Sequence, residues 1–124
     1  MQVAALPIRT KNGQLQVLLV TTRGRGGWII PKGGRSRKLH DAATAAREAR
    51  EEAGVVGQVK SQPVGKYVHH KRDSSLEVAV YELEVSRQRK KWPECRMRKR
   101  RWVTVEEACN LTSQPGLLLL NALT

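Results

Sequence analysis

Arg47-Glu48-Ala49-Arg50-Glu51-Glu52-Ala53-Gly54-Val55 sets three carboxylates within two turns of a predicted helix. Glu48 stands three positions before Glu51 and four before Glu52, so the three share one face, with neighbouring Cβ atoms about 5–6 Å apart. Like charges at that spacing repel. Either water solvates them or a cation sits between them, and hard carboxylate oxygens suit Mg²⁺ or Mn²⁺. The rest of the chain favours the cation, because only 11 Asp and Glu accompany 23 Lys and Arg. Gly54 falls where such a helix should end. Upstream, Trp28-Ile29-Ile30-Pro31-Lys32-Gly33-Gly34 reads as a short buried strand breaking into a glycine turn, whose carbonyls can approach an ion closely.

Around this helix the pattern alternates between strand and helix. Residues 3–9 and 14–23 are apolar, β-branched runs joined by Lys11-Asn12-Gly13, a hairpin signal. Asp41 is placed to cap a helix running to Glu52. Its Ala42, Ala45, Ala46, Ala49 and Ala53 form a stripe of small residues suited to close packing on a sheet. Residues 64–70 and 76–85 alternate as paired strands about a turn at Lys71-Arg72-Asp73-Ser74. Charge and Pro93 predict a long surface loop over residues 86–97. A strand over 101–104 leads into Thr104-Val105-Glu106-Glu107, a capping box that opens a short helix. A last helix is predicted after Ser113-Gln114-Pro115. This order predicts an α/β fold, a mixed β-sheet between helices, in one domain spanning residues 1–124.

The formal net charge of +12 points to anionic partners: nucleic acid, anionic membrane or a polyphosphate. The charge is bunched at residues 23–38, 66–72 and 87–101, the last with Glu94 as its only carboxylate. No apolar run approaches the ~20 residues of a membrane span, and the first residues lack the basic flank of a signal peptide. Cys95 and Cys109 lack metal-ligand spacing and read as reduced thiols. A soluble cytoplasmic protein without a membrane partner is expected.

Gly33, Arg47, Glu48, Glu51, Glu52, Gly54 and Val55 fall at the spacing of the Nudix box, and the chain resembles the Nudix hydrolase family along most of its length. Two box positions depart: Leu39 replaces the early glutamate, and Ala49 stands at an aliphatic position. The first removes an auxiliary carboxylate and the second thins a core contact. The resemblance implies the Nudix fold, an α/β/α sandwich, and metal-dependent hydrolysis of a diphosphate linkage. It makes Glu48, Glu51 and Glu52 the carboxylate ligands of Mg²⁺ or Mn²⁺, with the main-chain oxygen of Gly33 completing the site. Arg47 would orient Glu48 through a charge-assisted hydrogen bond. The general base is either a box glutamate or a carboxylate on a later loop, for which Glu94 is the candidate.

Within the family the chain looks most similar to the diphosphoinositol polyphosphate phosphohydrolase-like group, including its bacterial members. Trp28 to Gly33, the missing glutamate at position 39, Trp92-Pro93-Glu94 and Arg100-Arg101-Trp102 carry that likeness. An inositol pyrophosphate or a dinucleoside polyphosphate would suit a basic rim around an acidic site. Lys32, Arg35, Arg37, Lys38, Lys71, Arg72, Arg98 and Arg100 are the candidate phosphate contacts. Removal of pyrophosphate from the 5′ end of RNA is the rival enzymatic reading. A non-catalytic module holding a ligand or nucleic acid is a third, disfavoured because a binder has no need of three repelling carboxylates. Few aromatics are left over for stacking on RNA bases.

Overall fold

The computed structural model describes residues 1–24, 27–112 and 123. In chain order the elements are β1 (Gln2–Lys11), β2 (Gln14–Thr21), β3 (Trp28–Ile29), β4 (Lys32–Gly34) and α1 (Asp41–Ala53). After these come β5 (Val55–Val59), β6 (Gly65–Lys71), β7 (Ser74–Gln88), β8 (Arg100–Thr104) and α2 (Val105–Leu111). Asn12 and Gly13 both take positive φ, 54° and 77°, the conformation a tight two-residue hairpin needs. The turn sets Lys11 opposite Gln14 and starts the β1–β2 ladder.

β1 is the central strand. It runs parallel to β7, with Gln2 beside Val78 and Ile8 beside Glu84, and antiparallel to β2 and β4 on its other edge. One parallel pairing among antiparallel ones makes the sheet mixed. Side chains of β1 alternate between its faces, and both faces are buried. Val3 and Ala5 join Leu18, Val20 and Tyr81 beneath Ala45, Ala49 and Ala53 of α1. Ala4, Leu6 and Ile8 join Leu19, Ile30 and Val103 beneath Ala108 of α2. A sheet apolar on both faces must be covered on both, which gives the α/β/α layering. The alanines of α1 leave no bulk between helix and sheet, so the helix backbone lies close to β1 and β4.

Several expectations are corrected. Asp41 is the first residue of α1, not its cap: His40 occupies the cap position without a side-chain cap bond. The Asp41 carboxylate instead accepts a 3.0 Å hydrogen bond from Arg35 Nε. Residues 32–34 form a strand rather than a turn, because Lys32 and Gly33 pair with Ala4 and Val3 and their backbone partners override the weak strand propensity of glycine. β5 was not foreseen. It begins directly after Gly54 and carries Gly57 and Gln58, so its alternation is too poor to read. β7 runs on to Gln88, through charged residues assigned to a loop, because Val55 and Val56 pair with Gln88 and Arg87 while those side chains stay in solvent.

The capping box is present: Thr104 accepts from the Glu107 amide at 3.1 Å, and the Glu107 carboxylate accepts from the Thr104 amide at 2.9 Å. The helix predicted after Pro115 lies outside the described residues. Both cysteines are free thiols. No described helix is long and apolar enough to cross a membrane.

Candidate active site

The C-terminal turn of α1 carries the glutamates, and its geometry is set from outside the helix. Gly54 adopts the left-handed conformation (φ 69°), and its amide returns to Arg50 O at 3.1 Å. The carbonyls beyond Arg50 have no intrahelical partner. Each finds one on the segment following β7. Glu51 O accepts from the Glu94 amide at 3.1 Å, and Gly54 O from the Arg89 amide at 2.8 Å. Glu52 O accepts from Trp92 Nε1 and Ala53 O from an Arg100 guanidinium nitrogen, both at 2.9 Å. Arg100 stacks over the Trp92 ring at 3.9 Å, which puts a cation at the negative end of the helix dipole. A Cβ at position 54 would fall 2.8 Å from the Trp92 ring, so only glycine fits the turn.

Glu48 and Glu52 meet where this turn passes β4. A Cβ on Gly33 would lie 2.9 Å from Glu48 Oε2 and closer still to Oε1, so the absent side chain is the space the carboxylate fills. Glu52 is 4% exposed. One of its oxygens accepts from the Lys32 amide at 3.2 Å, and the other stands 3.8 Å from Arg98. Burial raises both acids. It pushes Glu52 up to about 8, with the Glu48 charge adding to the rise and Arg98 opposing it. For Glu48, burial acts first and the charge of Glu51 second. A side-chain hydrogen bond joins Glu48 and Glu52, and burial favours a proton on Glu52.

Glu94 is brought to the same place. Its Oε1 accepts from Arg98 Nε at 2.8 Å, and its charge reaches both Glu48 and Glu52. Arg98, 10% exposed at its side chain, bridges Glu94 and Glu52 and also donates to Thr21 O at 2.9 Å. Glu51 acts on Glu48 through charge. Among the described residues, however, no three His, Cys, Asp or Glu side chains converge closely enough to hold one ion together. Glu48 and Glu52 form the close pair, with Glu51 next to them in charge. Arg47 lowers Glu48 through its charge, but no hydrogen bond between them is present among the described residues.

The basic residues separate into two groups. Arg98 and Arg100, expected as phosphate contacts, are occupied by protein oxygens: Arg98 by the two carboxylates and Thr21, Arg100 by Ala53 O and by Arg89 O at 2.6 Å. Their sequence signal was charge alone, which does not distinguish a buried bridge from a surface contact. Arg35, Arg37, Lys38 and Arg72 are exposed, and Arg35 is paired to Asp41. Lys32 is half-buried and donates from Nζ to Gln2 at 3.0 Å. The side chain of Lys71 lies outside the described residues. A cleft of about 560 Å³ opens beside Arg98, lined by Thr21, Thr22, Trp28, Cys95, Met97 and Lys99 among others. Sequence reading missed Thr21 and Met97 in this role, since neither carries charge or periodicity that marks a cleft wall.

The donor set suits a divalent cation. Glu52, buried, and Glu48, half-buried beside it, offer hard oxygen ligands whose repulsion a cation would relieve. The backbone of Gly33 lies against them with no side chain in the way.

Comparison with known proteins gives a consistent picture. Residues 1–118 match the NUDIX domain family. Nudix hydrolase 12, mitochondrial, of Arabidopsis thaliana is 35% identical over 106 residues, covering 79% of this chain and 52% of the relative. Diphosphoinositol polyphosphate phosphohydrolase 3-beta of Bos taurus is 30% identical, covering 86% of this chain and 65% of the relative. The chain spans about half the length of the plant relatives it matches, 46–58% for three of them. Among solved structures, a C. elegans Ap4A hydrolase binary complex aligns with a TM-score of 0.72 over 95% of this chain and 90% of that one. The identity is 19%, so the likeness is one of fold.

Proposed function

Since the chain belongs to the Nudix family, we propose that it is a metal-dependent hydrolase cleaving a diphosphate linkage in a highly phosphorylated small molecule, such as an inositol pyrophosphate or a dinucleoside polyphosphate. The observation that carries this reading is the close pair of buried Glu52 and half-buried Glu48, the latter seated on Gly33, with Arg98 linking Glu52 to the wall of an open cleft. Nudix enzymes generally use divalent metal ions, and here Glu48, Glu52 and the Gly33 backbone would hold Mg²⁺ or Mn²⁺ with Glu51 beside them. A bound divalent ion supplies charge neutralisation of phosphate oxygens and a water of lowered pKa. Arg98 holds Glu94 beside the pair, so a further carboxylate would be ready to accept a proton from an attacking water.

The substrate class rests on charge and on the relatives. Arg35, Arg37 and Lys38 are exposed on the segment that joins β4 to α1, and they are the basic residues here offered to substrate phosphates. The bovine relative is a diphosphoinositol polyphosphate phosphohydrolase by name, and the nematode structure is an Ap4A hydrolase. Phosphate release with Mg²⁺ should be measured on inositol pyrophosphate, dinucleoside polyphosphates, a nucleoside triphosphate and 5′-triphosphorylated RNA. Turnover of the first two above the others is the expected result. Preference for RNA would move the assignment to 5′-end processing, and no turnover of any of them would refute hydrolysis.

A graded response should follow from Arg37→Glu. If Arg37 attracts substrate phosphates, KM should rise several-fold for the dinucleoside substrate with most phosphates, less for shorter ones, and become less dependent on salt. An equal loss at every chain length would mean that this charge serves another purpose.

A further inference from the structure

The segment that carries Glu94 also closes the end of the helix that carries Glu51 and Glu52. Four consecutive carbonyls, from Glu51 to Gly54, are bound by four groups of residues 89–100. Two of the four are side chains, and they are stacked on each other: the Trp92 indole lies against Gly54, and the Arg100 guanidinium lies over the indole. Arg100 is fixed in turn by Arg89 O at 2.6 Å. A helix end left to itself frays within its last turn. Here that turn positions a buried carboxylate to within hydrogen-bond distance of the Lys32 amide on β4.

We infer that Trp92 and Arg100 are positioning residues for the ion-binding turn of α1: by holding the carbonyls of Glu52 and Ala53 they fix where the Glu52 carboxylate stands against Glu48 and β4. Divalent-ion affinity should then depend on a tryptophan and an arginine that touch no ion. The inference rests on the ion-binding reading above and adds to it the residues that set its geometry.

Trp92→Phe isolates the effect, because phenylalanine keeps an aromatic face for Gly54 and Arg100 and removes only the donor to Glu52 O. The matched control is Trp102→Phe. Trp102 also donates from Nε1, to Gln88 at 2.7 Å, and also lies under an arginine, Arg9 at 4.1 Å, but it makes neither bond to α1. Mn²⁺ dissociation constants would be read from the electron paramagnetic resonance signal of free Mn²⁺, with the melting temperature of each metal-free protein taken alongside. Trp92→Phe should weaken Mn²⁺ binding about fivefold, the effect of losing one hydrogen bond of ordinary strength. Trp102→Phe should lower the melting temperature and leave Mn²⁺ affinity as it was. Arg100→Gln should weaken binding likewise, with Arg100→Lys partly restoring it, which keeps the test open should Trp92→Phe not fold.

Unchanged Mn²⁺ affinity in Trp92→Phe and Arg100→Gln, or an equal loss in Trp102→Phe, would overturn the inference while leaving the ion site standing. A wild-type protein that binds no Mn²⁺ would overturn both.

Discussion

Glu52→Gln is expected to lower turnover by at least ~100-fold while leaving the fold intact. The substitution is nearly isosteric, and the amide oxygen of glutamine can still accept from the Lys32 amide, so the β4 contact survives. What disappears is a negative charge at the point where Glu48, Glu52 and the Gly33 backbone would share an ion. Glu48→Gln should behave in the same way, since its carboxylate fills the same space. The check is phosphate release with Mg²⁺ on protein whose near-ultraviolet circular dichroism matches wild type. Retention of more than about a third of wild-type turnover would place the chemistry elsewhere.

The second large effect concerns stability without metal. Burial raises Glu52 from its ordinary 4.5 to about 8 in the folded protein, and Glu48 moves in the same direction. A carboxyl with a raised folded pKa binds its proton more tightly in the native state than in the unfolded one. Its contribution is therefore fully present below pH 4.5 and is lost as pH rises towards 8. Metal-free wild-type protein should accordingly lose melting temperature between about pH 5 and pH 9 relative to Glu52→Gln, which cannot ionise there. Millimolar Mg²⁺ should restore the loss in wild type by binding the ionised pair, and should do little for Glu52→Gln. Melting curves of both proteins at several pH values, with chelator and with Mg²⁺, decide the matter. Parallel curves that never diverge would contradict a buried Glu52 that holds its proton up to about pH 8.

The legible parts of the fold were those with strong local grammar. Asn12-Gly13 between β-branched runs, the alanine stripe ending at Gly54, and Thr104 three residues before Glu107 each specify their element through short-range bonds. β4 and β5 were not legible, because Gly33 and Gly57 have no strand propensity and are extended only through pairing with Ala4, Val3 and β7. The same division runs through the site. Glu48, Glu51 and Glu52 stand out by helical spacing, Gly33 by the Nudix resemblance, and Glu94 by its isolation among basic residues. The roles of Arg98, Arg100 and Trp92 were not foreseen, since a guanidinium expected at a phosphate and one bound to a helix carbonyl look alike in a sequence. Only the path of residues 89–100 across the end of α1 separates them.

The central claim is that Glu48 and Glu52 together bind a divalent ion, displacing the proton that burial favours on Glu52. Proton release on adding Mn²⁺ measures this most directly, by calorimetry in buffers of different ionisation enthalpy at pH 7. With Glu52 raised to about 8, wild-type protein should release close to one proton per ion bound, and Glu52→Gln close to none. Ion binding to wild type without proton release at that pH, or equal release from Glu52→Gln, would contradict the account.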